Sequence, residues 1–305
     1  MGFAGYIGSV LTDHFLSGGH EVIVLDLLKR GSDGISQHFS NPHFTLINGD
    51  FTTDLLKFTL KAFEPDVVIH LAAIVGDPAC AREPDLATKT NVEGTKWVVD
   101  CCNEYDLDLF FASTCSVYGS NEETCDELTD PNPLSHYART KLSAERYIQD
   151  HSRNGIIFRF GTMHGVSPQM RYDLVVNRLA RDASIYSSFN VFDGTQHRPF
   201  LHPRDLAHFF LQLIGNDLSA HYKQVYNLVS ENLSMLEVGE LIERLIPHSK
   251  MNVVREKEDD RTYICRSFKA HSRLNFCPVL RVRESIQEIE RYVLMKEKKD
   301  IKITD

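Results

Sequence analysis

Short apolar runs alternate with amphipathic stretches through the first half of the chain. The run at 21–26 (EVIVLD) is brief, β-branched and ends in an acid, which predicts a buried strand; 43–47, 66–71 (DVVIHL), 107–112 (LDLFFA) and 155–160 (GIIFRF) predict four more. Helical periodicity lies between them, most clearly at 85–105 and 135–151. Strands that are apolar throughout, alternating with helices, imply a parallel sheet covered on both faces, an α/β architecture. The pattern changes in the second half, where strands are sparse and helices are expected near 170–183, 204–214, 234–246 and 281–294. The expected division is a first domain at 1–165, to which 191–228 partly returns, and a smaller lobe at 166–305 closing over the carboxyl edge of the sheet, where doubly wound sheets bind ligands.

Composition narrows the class. Of the 305 residues, 42% are hydrophobic and 25% charged, enough for a core that needs no disulfide or metal. The net charge of −9 argues against a nucleic-acid surface, which needs clustered Lys and Arg. Seven cysteines, at 80, 101, 102, 115, 125, 265 and 277, include no CxxC pair, so zinc spacing is absent and reduced thiols in a cytoplasmic protein are expected. No apolar stretch reaches the roughly 18 residues of a membrane span, and no leader is expected before the first motif. The charge run 296–300 reads as a solvated helix end.

Candidate chemistry begins at once. Gly2, Gly5 and Gly8 have the spacing GxxGxxG and lead into a predicted helix at 6–17. Glycines so spaced allow a tight turn, close approach of backbone to a pyrophosphate, and helix–strand packing; Tyr6 and Ile7 would sit at the helix N-terminus that faces the phosphates. Alone, the triplet would equally be a glycine-rich turn. Asp26 at the end of the next strand strengthens it, because an acid there accepts hydrogen bonds from ribose hydroxyls and repels a 2′-phosphate, favouring NAD over NADP. Lys29 and Arg30 soften that preference. Asp50, followed by Phe51, would meet the adenine or serve as a turn residue. Only Met1 precedes the fingerprint, so the central strand that should lead into it is lacking; the expectation is a truncated form of reduced stability, or a sheet completed another way.

Tyr137 and Lys141 form a YxxxK pair on a predicted helix, one turn apart on one face. A nearby ammonium stabilises a phenolate. Such pairs are ordinary on helix surfaces, but here a predicted strand ends about twenty residues earlier in Ser113-Thr114, whose hydroxyls would face the cleft.

In order, GFAGYIGS, HLAAIVGDP, NVEGT, STCSVYG, YARTK and QHRPFLHPRDLA resemble the extended short-chain dehydrogenase/reductases of the NAD-dependent nucleotide-sugar epimerase/dehydratase branch, over nearly the whole chain. The resemblance implies a Rossmann-like doubly wound sheet, NAD as cofactor, a nucleotide-diphosphate sugar as substrate and a homodimer built on helices 85–105 and 135–151. It implies Tyr137 as general base, Lys141 tuning it and holding the nicotinamide ribose, and Thr114 orienting the reacting hydroxyl. Leu71, Ala72 and Ala73 would line the adenosine–diphosphate side, Asn91 would brace the loops, and Arg198 and Arg261 would grip the substrate diphosphate.

Three departures narrow the reaction. The 4,6-dehydratases of this branch carry Asp-Glu after the Thr, where this chain has Cys115 and Ser116, so elimination of water ranks low. Thr162 stands where many epimerases have Asn. The segment 167–177, with AAIVGDPACA, resembles a subgroup that includes dehydrogenases of GDP-heptoses, which makes Arg171 and Asn177 candidates for nucleotide or sugar contact or, equally, solvated residues of a helix start. The implied activity is a C4 epimerase or dehydrogenase; a keto-sugar reductase and a non-catalytic NAD-binding regulator are the alternatives.

Overall fold

The computed structural model describes residues 1–256 and 261–301, with side chains to 296; Glu258, Asp259 and Asp260 of the EDDRTY motif and most of the charge run 296–300 lie outside these. It holds a doubly wound α/β fold in which four strands run parallel in the order Val225–Leu228, Gly155–Phe160, Asp108–Thr114, Val67–His70. A separate parallel pair joins Val22–Asp26 to Phe44–Asn48. Between the two sheets, Met1 and Gly2 form the bridge: Gly2 N donates to Leu25 O (3.2 Å), Leu71 N to Met1 O (3.0 Å), and the Met1 amine to Ile69 O (2.8 Å).

Both faces of the parallel sheet are covered, which is why its strands are apolar throughout. On one face, helices Tyr6–Ser17 and Pro203–Leu213 pack Val10, Leu11, Phe209 and Phe210 against Phe110 and Phe158. On the other, helices Leu55–Phe63, Gly94–Tyr105 and His136–His151 bring Leu56, Val98 and Ile148 onto Leu109 and Ile157. A third core, including Val176, Leu179, Phe189, Ile242 and Ile286, belongs to the second lobe.

The second half carries more strands than its sequence suggests. Ser188–Phe192 pairs with Lys250–Val254, and His197–Leu201 lies between Glu231–Ser234 and Thr162–Met163. These strands are two to five residues long and one, Lys250–Val254, exposes most of its residues, so their pairing is set by tertiary contact rather than by a hydrophobic period. Val225–Leu228 is fully buried but has only four residues. Two helices also depart from expectation. The stretch 85–105 is broken: Pro84–Thr88 passes through a wide π turn at Lys89–Glu93 before Gly94–Tyr105 begins. The helix expected at 170–183 runs from Val175 to Tyr186, because Arg171 pairs with Asp173 (2.6 Å) and Asn177 Nδ2 donates to Arg171 O (3.0 Å), holding the preceding residues in a turn.

Candidate active site

The glycine loop is built for close backbone approach. Gly2 has φ +77°, and a Cβ there would lie 2.6 Å from Ala72 N; a Cβ on Gly8 would lie 2.1 Å from Phe3 Cα. Gly5 differs, since a Cβ on it meets nothing nearer than Gly2 O at 3.5 Å. Gly5 is also the N-cap of helix Tyr6–Ser17 and offers no side chain to the first-turn N–H groups, which leaves them for an anion. Asp26 lies beside this loop, its Oδ2 accepting from Ala4 N (3.0 Å) and its Oδ1 from Leu28 N (2.8 Å). The donors, the cradle and the acid together fit a dinucleotide.

The surrounding residues hold the loop. Tyr6 Oη donates to Gly165 O (2.6 Å), and Asn177 donates to Tyr6 Oη (3.3 Å) while accepting from Gly165 N (2.9 Å). Asn177 is therefore buried behind the loop and is not among the cavity-lining residues, contrary to its expected contact with nucleotide or sugar. Asp50 Oδ1 accepts from Thr52 N and Oγ1 (2.9 and 2.8 Å), and Phe51 is buried against His70, ring centroids 5.1 Å apart. Asn91 accepts from Ile74 N (2.8 Å) and donates to Ile74 O (3.0 Å) and Thr140 Oγ1 (3.1 Å), fastening the loop that carries Leu71, Ala72 and Ala73 to the helix that carries Tyr137.

The carboxyl ends of the strands open onto a cavity of about 590 Å³ shared by both lobes. Strand Asp108–Thr114 delivers Thr114, and helix His136–His151, capped by Ser135 Oγ on Ala138 N (3.2 Å), delivers Tyr137 in its first turn. Tyr137 is half-buried by surface, and burial pushes its phenol pKa up, with Cys80 and Asp77 adding and Arg171 opposing. Lys141 lies deeper, donating to Ala112 O (2.7 Å) over the Phe111 ring; burial lowers its pKa to about 8, opposed by Glu145. Arg171, Arg178, Arg198 and Arg261 also line the cavity. Arg198 stacks over Tyr263 and donates to the Arg261 carbonyl, while Arg261 pairs with Asp77 (2.5 Å) across the cleft. Arg178 has no counterpart among the motif residues. Its position, one residue after Asn177 at the start of a lobe helix, was the only available signal.

Beneath the cavity lies a buried network that the motifs did not reveal. Ser113 Oγ bonds Glu145; Arg159 Nη2 meets Glu145 Oε2 at 2.6 Å and Arg159 Nη1 meets Tyr118 Oη at 2.9 Å; Tyr118 Oη lies 2.9 Å from Asn227 Oδ1. It ties the strand bearing Thr114 to the helix bearing Tyr137 and to the next two strands. Cys115 Sγ bonds Arg159 O (3.4 Å) and Ser116 Oγ bonds Tyr263 Oη (3.2 Å). Among the described residues, no three His, Cys, Asp or Glu side chains are grouped to hold a metal, and no helix is long and apolar enough to cross a membrane.

A parallel sheet with a glycine-rich phosphate loop, an acid at the next strand end and a Tyr-Lys helix at the cleft defines a dinucleotide-dependent α/β enzyme of the short-chain dehydrogenase type. The pattern of the NAD dependent epimerase/dehydratase family matches residues 1–228, and the chain belongs to that family, whose cofactor is NAD. It is similar to CDP-paratose 2-epimerase from Salmonella typhi (25% identical, covering 94% of this chain and 96% of the relative) and to a putative UDP-glucose 4-epimerase from Methanocaldococcus jannaschii (26%, covering 96% of each). A crystal structure of UDP-glucuronic acid 4-epimerase from Bacillus cereus, in complex with UDP-glucuronic acid and NAD, shares the fold with a TM-score of 0.85, 24% identity and coverage of 96% and 98%. The protein is an NAD-dependent enzyme of the nucleotide-sugar epimerase/dehydratase type.

Proposed function

We propose that the enzyme acts at C4 of a nucleoside-diphosphate sugar, as an epimerase or a dehydrogenase, with Tyr137 as general base. The observation that carries this reading is the cavity, which gathers Thr114 and Tyr137 with Arg171, Arg178, Arg198 and Arg261. Forked guanidinium groups suit a diphosphate. Bound NAD supplies the acceptor for a hydride from the sugar. Thr114 orients the reacting hydroxyl and Tyr137 takes its proton. Lys141, which donates to Ala112 O, would hold the nicotinamide ribose and, when cationic, favour the phenolate. Cys115 and Ser116 carry no carboxyl, and their hydrogen bonds to Arg159 O and Tyr263 Oη aim them at the protein, which supports simple hydride chemistry over elimination of water.

Residues 1–165, with 191–228 partly returning, form the NAD-binding domain in this reading, and 166–305 the substrate lobe. Helices Gly94–Tyr105 and His136–His151, already joined by Tyr147 Oη on Asp100 (3.2 Å), form the pair that a second copy would double into a homodimer. Mass spectrometry of the small molecules released on denaturation tests the reading. Stoichiometric NAD indicates a recycling epimerase, and an exchangeable cofactor indicates a dehydrogenase. Tyr137→Phe should abolish turnover and leave NAD binding intact; surviving turnover would exclude Tyr137 as the base.

A further inference from the structure

We propose that Gln169 is a positioning residue that clasps the loop after Asp26 to the turn carrying Arg171, so that a dinucleotide seated on Asp26 also sets Arg171 for the diphosphate of the second substrate. The role of Arg171 rests on the reading of the cleft as a diphosphate site; the clasp does not. The Gln169 side chain uses both ends of its amide to span the two lobes. Its Nε2 donates to Arg30 O (3.0 Å) and its Oε1 accepts from Gly34 N (3.2 Å). The approach is close, since a Cβ on Gly34 would lie 2.7 Å from Gln169 Cβ. Among the described residues, no other hydrogen bond joins 27–38 to the second lobe. An amide suits the post, because it donates and accepts at once and buries no charge.

Each side of the clasp leads to a binding group. On one side, Leu27, Lys29, Arg30 and Gly31 are exposed, and the loop is held by Leu28 N on Asp26 Oδ1 (2.8 Å) and Gly31 N on Leu28 O (2.9 Å). The carboxylate that anchors the loop is the one that ribose hydroxyls use in a dinucleotide fold, so cofactor and loop share a support. On the other side, Arg171 follows Gln169 by two residues and lines the cavity. Arg171 pairs with Asp173 (2.6 Å) and holds its carboxyl below the usual range; the Arg30 charge across the seam adds to that effect. Two ligands that order the same seam bind with positive coupling. A second support runs beside the clasp: Ser167 Oγ donates to Tyr6 O (2.7 Å) and lies 3.0 Å from Ser9 Oγ. The two supports are separable, because only Gln169 reaches the Asp26 loop.

The test compares the unaltered chain with Gln169→Met, which keeps the bulk over Gly34 and removes both bonds, and with Gln169→Glu, which keeps the acceptor and loses the donor. Amide exchange across residues 167–174 is read with and without NAD. In the unaltered chain NAD should slow it about tenfold. In Gln169→Met that slowing should vanish while slowing at Gly5 and Gly8 persists, and Gln169→Glu should fall between. A merely structural loss would raise exchange equally with and without NAD, so the NAD-dependent difference decides. Equal slowing in the unaltered and Met forms, as the Ser9–Ser167 contact alone would give, would overturn the proposal, as would no slowing in either. This comparison uses no sugar nucleotide, so it decides the clasp even if the cleft takes another substrate. Calorimetric titration with UDP, CDP and GDP tests the role of Arg171: NAD should tighten the best-bound nucleotide about tenfold in the unaltered chain and leave it unchanged in Gln169→Met. Equal tightening in both forms would remove Gln169 from the coupling.

Discussion

The floor of the active site and the edge that carries the glycine loop lie in one domain but are built on opposite principles. Under the cavity, Ser113, Glu145, Arg159, Tyr118 and Asn227 interlock between three strands and a helix, with every charge paired and buried. At the loop edge, two sheets are joined only through Met1 and Gly2 among the described backbone hydrogen bonds between their strands, and an amine is buried at the joint. The floor fixes where Thr114 and Tyr137 meet. The edge fixes where the phosphate-binding backbone lies, with far fewer bonds. The geometry of proton transfer is thus held by many bonds, and the cofactor cradle by few.

The largest expected effect breaks the floor. Arg159→Met leaves Glu145 buried without its partner and should lower stability by about 3–5 kcal/mol in urea titrations. Adding Glu145→Leu should recover most of that loss while activity stays low, since Ser113 would still lack its acceptor.

Acid titration gives the next effect. Burial lowers the pKa of His164 to about 3 and of His202 to about 2, so the unfolded chain binds more protons once pH falls below 6.5. Stability should therefore fall as pH drops from 6.5, and His164→Gln should lessen that loss, as read from melting temperature against pH.

Glycine substitutions dissect the edge itself. Gly8→Ala forces a Cβ into Phe3 and should cost about 2 kcal/mol with loss of NAD binding. Gly5→Ala has room, so its melting temperature should hold while NAD binding weakens. The smallest effect concerns the cleft: Asp77→Asn releases Arg261 from a partly exposed pair, with less than about 1 kcal/mol lost in stability and a several-fold lower KM for the sugar nucleotide.

The parts of the molecule that were legible in the sequence share one property, short range. The strand at 155–160, the Ser135-capped helix and the Tyr137–Lys141 pair are each decided within one or two turns of chain, and each lies within a residue or two of expectation. The expected α/β class and NAD cofactor hold for the same reason, since glycine spacing and an acid one strand later are local signals. The floor network was invisible because Ser113 and Glu145 are 32 residues apart and Tyr118 and Asn227 are 109 apart. Arg178 and Asn177 show the limit most sharply. Of these adjacent residues on one helix, Arg178 lines the cavity while Asn177 is buried against Tyr6 and Gly165, contacts more than 150 residues apart or across a turn that no local pattern encodes.

The wide turn at Lys89–Glu93 has a consequence of its own. A helix that accommodates one surplus residue shifts everything before it by about 100° relative to ideal winding. That rotation presents the Asn91 amide squarely to the backbone of Ile74. Deleting a single residue from the turn would give the helix more regular bonds and swing the amide away. The imperfection works as a phase adjuster, setting one side chain's bearing at the expense of the spiral that carries it.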